Sequence, residues 1–239
     1  MGAPTEGNRM DIVLMPGLWL DSSAWDQVAA ELRRLGHNPI AVPLPGTDDR
    51  STSATLDDQI QAAVSAVDAA DRPLVVSHSA ACALAWIVAD RRPDDISGVV
   101  LIGGFPSADG EQYAPYFELV DGVMPFPGWE PFEGPDSYDI DEETKKRMAD
   151  EAIPVPAGVS HAVISLGDPR RYEVPVHMIC PEFTPDDVKG WMAEGSLPEL
   201  AATTNYSLID FDSGHWPMYT KPVELARALA EIADAAGSA

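Results

Sequence analysis

The residues best suited to chemistry lie in the stretch Ser77-His78-Ser79-Ala80-Ala81, which stands between two apolar runs. A serine on a sharp turn from a strand into a helix holds its hydroxyl above the sheet, at the positive end of the helix. The neighbours two before and two after must be small, and here they are Ser77 and Ala81 instead of glycines. The stretch therefore indicates a nucleophile at Ser79, with a simple helix cap as the alternative.

Two distant segments could complete this chemistry. Asp212-Ser213-Gly214-His215-Trp216-Pro217 follows the last strand pattern, and a loop histidine there can reach the serine turn and accept a proton. Pro16-Gly17-Leu18-Trp19 follows the first strand pattern, where a loop can donate a backbone N–H to an oxyanion. We therefore predict His215 as the base, with Leu18 and Ala80 as the oxyanion donors.

The elements that must position these residues alternate between strands and helices along the chain. Apolar periodicity predicts amphipathic helices after the first and second strands, a buried helix through residue 89 and a closing helix at 221–236. The predicted strands cover 11–15, 39–44, 73–76, 96–102, 172–180 and 206–211. This alternation favours an α/β fold with a mostly parallel central sheet and helices on both faces.

One region interrupts the alternation. Residues 105–171 carry many prolines, acids and aromatics without a strand pattern, and a segment of this length is too long for a plain loop. We interpret it as a cap inserted between two strands of a core formed by 10–104 and 172–239, with a disordered tail at 1–9.

The aromatic residues of the cap predict an apolar pocket for an acyl or ring-bearing substrate, or else a small core of the cap itself. The residues predicted to line such a pocket are Trp19, His78, Trp129 and Trp216.

Charge and composition exclude several partners. The 239 residues include 39 acids and 15 bases, a formal net charge of −24, so binding to nucleic acid or to an anionic membrane is not expected. The two cysteines offer neither a disulfide framework nor a metal-binding spacing. The first residues lack a signal-peptide pattern and no apolar run is long enough to span a membrane, so a cytoplasmic protein is expected.

In its serine, histidine and first-loop motifs, the chain resembles the α/β-hydrolase superfamily. The resemblance extends over nearly all residues from 11 to 236, and the chain looks most like small capped esterases close to plant methylesterases and hydroxynitrile lyases. It implies the α/β-hydrolase fold with a cap between two strands, Ser79 as nucleophile, His215 as base, and neither a metal nor an organic cofactor. The motifs that carry it are Pro16-Gly17-Leu18-Trp19, Ser77-His78-Ser79-Ala80-Ala81 and Gly214-His215-Trp216-Pro217.

The carboxylate behind the histidine is the least determined member of the site. The family usually places it after the strand that precedes the histidine strand, and an overlay puts Thr184 at that position, where threonine cannot serve. Glu182 lies close by and is predicted as the acid. Asp186, which could instead cap the next helix, and Asp109, after the preceding strand, remain alternatives.

Together these features predict a serine hydrolase that cleaves carboxylic esters, lactones or thioesters of a small apolar or aromatic molecule through an acyl-enzyme. The same fold could instead perform lyase or cofactor-free oxygenase chemistry, with the serine and histidine as acid and base. A non-catalytic ligand-binding protein is the third interpretation. The expected partner is a small-molecule substrate, and a homodimer is left open.

Overall fold

The computed structural model describes residues 9–237; the predicted tail at 1–9 lies outside them apart from Arg9. Its centre is a six-stranded sheet in the order β2-β1-β3-β4-β7-β8, in which every neighbouring pair is parallel. The predicted α/β architecture is confirmed. The strands are β1 (Asp11–Met15), β2 (Asn38–Ala41), β3 (Leu74–His78), β4 (Gly98–Ile102), β5 (Val123–Met124), β6 (Val155–Pro156), β7 (Val176–Cys180) and β8 (Tyr206–Asp210).

Helices cover both faces of the sheet, and this explains why the strands are apolar without alternation. Ile12 and Leu14 pack with the helices at 26–34 and 222–236, whereas Val13 and Met15 pack with the helices at 56–68 and 81–91 on the other face. The helices are α1 (Asp26–Arg34), α2 (Leu56–Asp68), α3 (Ala81–Arg91), α4 (Glu142–Glu151), α5 (Ala157–Ser160), α6 (Pro185–Ala193), α7 (Pro198–Ala202), α8 (Pro217–Thr220) and α9 (Pro222–Ala236). None of these helices is long and apolar enough to cross a bilayer.

The strands of the structure differ from the predicted ones at their ends. The strand predicted at 39–44 is formed by Asn38–Ala41, and its pairing with β1 closes with the Val42 N–H, which donates to Leu14 O at 2.9 Å. The strand predicted at 172–180 begins at Val176, after Pro175, and the preceding residues form the 3₁₀ turn Pro169–Glu173. The sheet is parallel as predicted despite these trimmed ends.

The segment between β4 and β7 covers the carboxyl end of the sheet. It contains α4, α5 and the antiparallel pair of β5 with β6, two short strands that the sequence pattern did not predict. The Trp19 indole donates to Met124 O at 3.2 Å, and Ile153 N–H donates to Trp19 O at 2.9 Å, so this segment is tied to the loop after β1. The division into core and cap stays a prediction.

Candidate active site

Ser79 sits on a strained turn between β3 and α3. Its φ of +55° lies in the left-handed region, which non-glycine residues rarely adopt. Ser79 N–H donates to Ile102 O at 2.8 Å, and Ser79 O accepts from Cys82 N–H at 2.9 Å, so the turn is held from the strand side and from the helix side. The Ser77 hydroxyl donates to Val100 O at 3.2 Å and is fully buried under the turn.

Two glycines after β4 make room for the site. A Cβ on Gly104 would overlap the carbonyl of Ser79, and a Cβ on Gly103 would lie 3.1 Å from His215 Nδ1. Because β4 lies between β3 and β7 in the sheet, the chain that leaves it runs close to both Ser79 and His215. Residues without a side chain are needed at these two positions. Sequence reasoning did not single out this pair, although two glycines directly after a strand are a signal of close backbone approach.

Three side chains from different strand ends form one hydrogen-bonded series. His215 Nε2 lies 2.9 Å from Ser79 Oγ, and His215 Nδ1 lies 2.5 Å from Glu182 Oε1. The histidine and glutamate side chains are each 13% exposed, so solvent screens their contact only weakly. Glu182 follows β7 and His215 follows β8, and the parallel pairing of these strands brings their carboxyl ends side by side.

The alternative acids lie elsewhere. Asp186 is 91% exposed on its side chain and pairs with Lys189 at 2.8 Å. Asp109 accepts from Leu166 N–H at 2.8 Å. The expectation that Asp186 caps the next helix is wrong, because Thr184 is the N-cap of α6 and exchanges hydrogen bonds with Asp187 in a capping box.

The loop after β1 packs directly against the serine turn. A Cβ on Gly17 would lie 2.6 Å from His78 Nδ1 and 3.1 Å from Ser79 Cβ, so the approach requires glycine. The backbone N–H groups of Leu18 and Ala80 donate to no other group within residues 9–237. Their assignment as oxyanion donors stays a prediction.

His78 has a different position from the one predicted. It is 1% exposed, and its Nε2 donates to His215 O at 2.7 Å, so it supports the histidine loop and does not line a substrate pocket. Burial, together with the nearby His215 ring, holds the pKa of His78 well below its ordinary value, and the imidazole is neutral. Its other nitrogen, Nδ1, has no hydrogen-bond partner. The sequence offered no signal for this role.

The three predicted tryptophans come together beside His215. The ring of Trp216 contacts the His215 ring edge-on, with the ring centres 4.7 Å apart, and also contacts the Trp129 ring at 5.3 Å. The ring of Trp19 packs against Phe126 at 5.4 Å. Trp19, Trp129 and Trp216 line one small cavity of about 10 Å³, which also borders Leu18. Much of this aromatic surface is used in packing, so the remaining space is small.

A second small cavity lies on the other side of Leu18. It has a volume of about 10 Å³ and is lined mainly by apolar groups, including Leu44, Tyr113, Val155 and Val159. A larger cleft of about 910 Å³ lies at the amino ends of the strands, opposite Ser79, and contains none of the predicted site residues. No cluster of three or more potential metal ligands occurs among residues 9–237.

This fold, with a strained serine after a central strand and a histidine after the last strand, defines an α/β-hydrolase-fold protein. Residues 12–228 match the model of the alpha/beta hydrolase family, so the chain belongs to that family and is an enzyme of the hydrolase class. No curated protein matches the chain.

Solved structures share the whole fold at low sequence identity. An extracellular alpha/beta-hydrolase from a Paenibacillus species, described as homologous to tobacco salicylic acid binding protein 2, is 20% identical with a TM-score of 0.77; the match covers 93% of this chain and 98% of that one. A pyrethroid hydrolase from Sphingobium faniae JZ-2 is 18% identical over 95% and 98%, with a TM-score of 0.69. Polyneuridine aldehyde esterase is 15% identical over 94% and 99%, with a TM-score of 0.68. These likenesses establish the fold.

Proposed function

We propose that this hydrolase is a serine esterase that cleaves carboxylic esters, lactones or thioesters of small apolar or aromatic molecules. The observation that carries the proposal is the unbroken hydrogen-bond series from Ser79 through His215 to Glu182. A serine, a histidine and a carboxylate in this order form the arrangement that activates a hydroxyl for attack on a carbonyl. Two of the structural relatives are named a hydrolase and an esterase, which supports the same reaction class.

The reaction proceeds in two halves. Ser79 Oγ attacks the carbonyl carbon while His215 Nε2 takes the hydroxyl proton, and the resulting imidazolium passes this proton to the leaving alcohol or thiol as the acyl bond to that group breaks. Water then attacks the acyl-enzyme, gives a proton to His215, and releases the acid while Ser79 regains its proton. Glu182 holds the Nδ1–H tautomer of His215 and stabilises the imidazolium throughout.

The tetrahedral intermediate carries an oxyanion that needs donors beside Ser79. The N–H groups of Leu18 and Ala80 donate to no main-chain acceptor within residues 9–237, and Gly17, next to Leu18, packs against Ser79. Each donor of this kind contributes roughly 3–4 kcal/mol to transition-state stabilisation. Ala80 is also the N-cap of α3, whose aligned N–H groups favour negative charge at that end.

The two cavities that flank Leu18 have mostly apolar walls, which favours an apolar substrate. Each holds about 10 Å³, roughly the space of one water molecule and far below the about 300–1,000 Å³ of pockets for drug-sized molecules. The side chains around Leu18 must therefore move aside for a substrate, and short acyl groups require the smallest movement. Tyr113 and Trp216 provide flat surfaces on which a ring could pack.

Labelling with a fluorophosphonate, paired with turnover of p-nitrophenyl esters of increasing acyl length, tests the proposal. We expect a covalent adduct on Ser79, turnover that is fastest for short acyl groups, and loss of both in Ser79→Ala. Ser77→Ala is the matched control, since it removes a buried hydroxyl from the same turn and should leave labelling in place.

The outcomes separate the interpretations. Labelling at Ser79 without turnover of any ester or thioester would favour the lyase or oxygenase interpretation. Absence of labelling in well-folded protein would overturn the hydrolytic mechanism altogether and favour a binding protein.

A further inference from the structure

A short segment between β4 and β7, residues Asp136–Asp139, holds the loop that carries His215. The Gly214 N–H donates to Asp139 Oδ2 at 2.9 Å, and the His215 N–H donates to Asp136 O at 2.7 Å. Farther out, the exposed Tyr138 hydroxyl donates to Asp212 Oδ1 at 3.1 Å. Two consecutive N–H groups of the histidine loop are therefore bound by one segment that belongs to neither β7 nor β8.

Gly214 makes this close contact possible. A Cβ at this position would overlap both the carbonyl oxygen of Asp136 and Oδ1 of Asp139. Any side chain at 214 would push the two backbones apart and lengthen both hydrogen bonds. The glycine is thus needed for contact with the Asp136–Asp139 segment.

The peptide groups of His215 are held from two sides. The Asp136–Asp139 segment binds its N–H, and the buried His78 on β3 donates to its carbonyl at 2.7 Å. With its backbone held on both sides, His215 directs its imidazole to Glu182 at 2.5 Å and to Ser79 at 2.9 Å. Asp139 provides the one charged acceptor in this support, and bonds to a charged group are stronger than neutral ones.

We propose that Asp139 is a positioning residue for His215: by accepting the Gly214 N–H it fixes the histidine loop so that the imidazole reaches both Ser79 and Glu182. It acts only through the loop. The inference rests on the proposed serine-hydrolase function, because the position of His215 matters for turnover only if His215 moves the Ser79 proton.

The expected effect follows from the sensitivity of proton transfer to geometry. A misplacement of about 1 Å in a reacting group costs about 100-fold in rate, so we expect Asp139→Ala to lower kcat by about 10- to 100-fold. KM should change little, because Asp139 lines neither cavity beside Leu18. Asp139→Asn keeps an oxygen acceptor for the Gly214 N–H and should recover most of the activity.

The experiment compares Asp139→Ala, Asp139→Asn and the control Tyr138→Phe in p-nitrophenyl acetate turnover and in proton NMR of the downfield His215 Nδ1–H signal. The signal reports the His215–Glu182 contact without any need for turnover. Asp139→Ala should weaken or shift it, Asp139→Asn should restore it, and Tyr138→Phe should resemble wild type. Gly214→Ala, which separates the same backbones from the other side, should lose kcat in the same way and keeps the test open if Asp139→Ala does not fold.

Wild-type kcat and an unchanged Nδ1–H signal in folded Asp139→Ala or Gly214→Ala would overturn the inference. Equal losses in Asp139→Asn and Asp139→Ala would also overturn it, since the oxygen acceptor would then not matter. Failure of the proposed function itself has a separate sign, namely wild-type protein that fluorophosphonate does not label at Ser79.

Discussion

Replacing Glu182 with glutamine removes one negative charge from the candidate site and leaves its shape nearly unchanged. Glu182 Oε1 lies 2.5 Å from His215 Nδ1, and both side chains are 13% exposed. When His215 holds the proton of Ser79, the two charge centres are about 4 Å apart, and at an effective dielectric constant of about 20 their attraction is about 4 kcal/mol. Since about 1.4 kcal/mol corresponds to a tenfold change in rate, kcat should fall roughly a thousandfold.

The assay is steady-state hydrolysis of p-nitrophenyl acetate, with the rate of fluorophosphonate labelling as a second measure of serine reactivity. Both rates should fall together in Glu182→Gln, while the thermal midpoint shows that the variant is folded. Asp186→Asn and Asp109→Asn are matched controls, because each makes the same chemical change at a carboxylate that does not contact His215. Nearly full kcat in Glu182→Gln, or a comparable loss in either control, would refute the reasoning.

Three further predictions concern the parts that support the site. Gly104→Ala should abolish labelling and lower the thermal midpoint, because its Cβ would overlap the carbonyl of the serine turn; unchanged labelling would contradict this. Burial holds the pKa of His78 well below its ordinary value of 6.5. At a pH below 6.5, the unfolded chain therefore binds a proton at this histidine that the folded chain does not bind. The free energy of unfolding should therefore fall as the pH decreases below that value, by at most about 1.4 kcal/mol per pH unit, and His78→Gln should lack this part of the slope in urea titrations. Arg171→Ala should destabilise the protein by about 3–5 kcal/mol, because it removes the buried cation between Asp90 and Glu199 and leaves Asp90 only its 4.0 Å ion pair with Arg91. The exposed Arg170→Ala is its control and should change stability little.

The sequence predicts most of the fold because the buried strands are short apolar runs, whereas the helices carry apolar residues at spacings of three and four. The strand at 11–15 needs only a short apolar run between polar ends, and the structure forms it at the same residues. Errors occur at strand ends: the strand predicted at 39–44 ends at Ala41, and the strand predicted at 172–180 begins at Val176 after Pro175. The short β5 and β6 pair has too few residues for any period to be visible.

The positions of Ser79 and His215 can be predicted because each lies where a predicted strand passes into a helix. The acid is harder to predict, since the usual position is held by Thr184, which instead caps α6. Glu182, two residues earlier, has a longer side chain and reaches the histidine from there. Only the structure distinguishes it from Asp186.

The support of the histidine loop could not be predicted at all. His215 N–H binds a main-chain oxygen of Asp136, and main-chain acceptors leave no mark on residue type. His78 was expected to line a pocket because its neighbours are catalytic candidates, but the turn buries its ring under His215. Contacts of this kind depend on segments far apart in sequence, so local patterns do not reveal them.

The central claim is that Ser79 forms an acyl-enzyme with its proton carried by His215. The most direct test is to mix the protein with p-nitrophenyl acetate, quench in acid during the first turnovers and map the modified peptide by mass spectrometry. The account predicts an acetyl group on Ser79 in wild type and none in His215→Ala or Ser79→Ala. Steady hydrolysis of the ester with no acetyl group on Ser79, or with one on another residue, would contradict it.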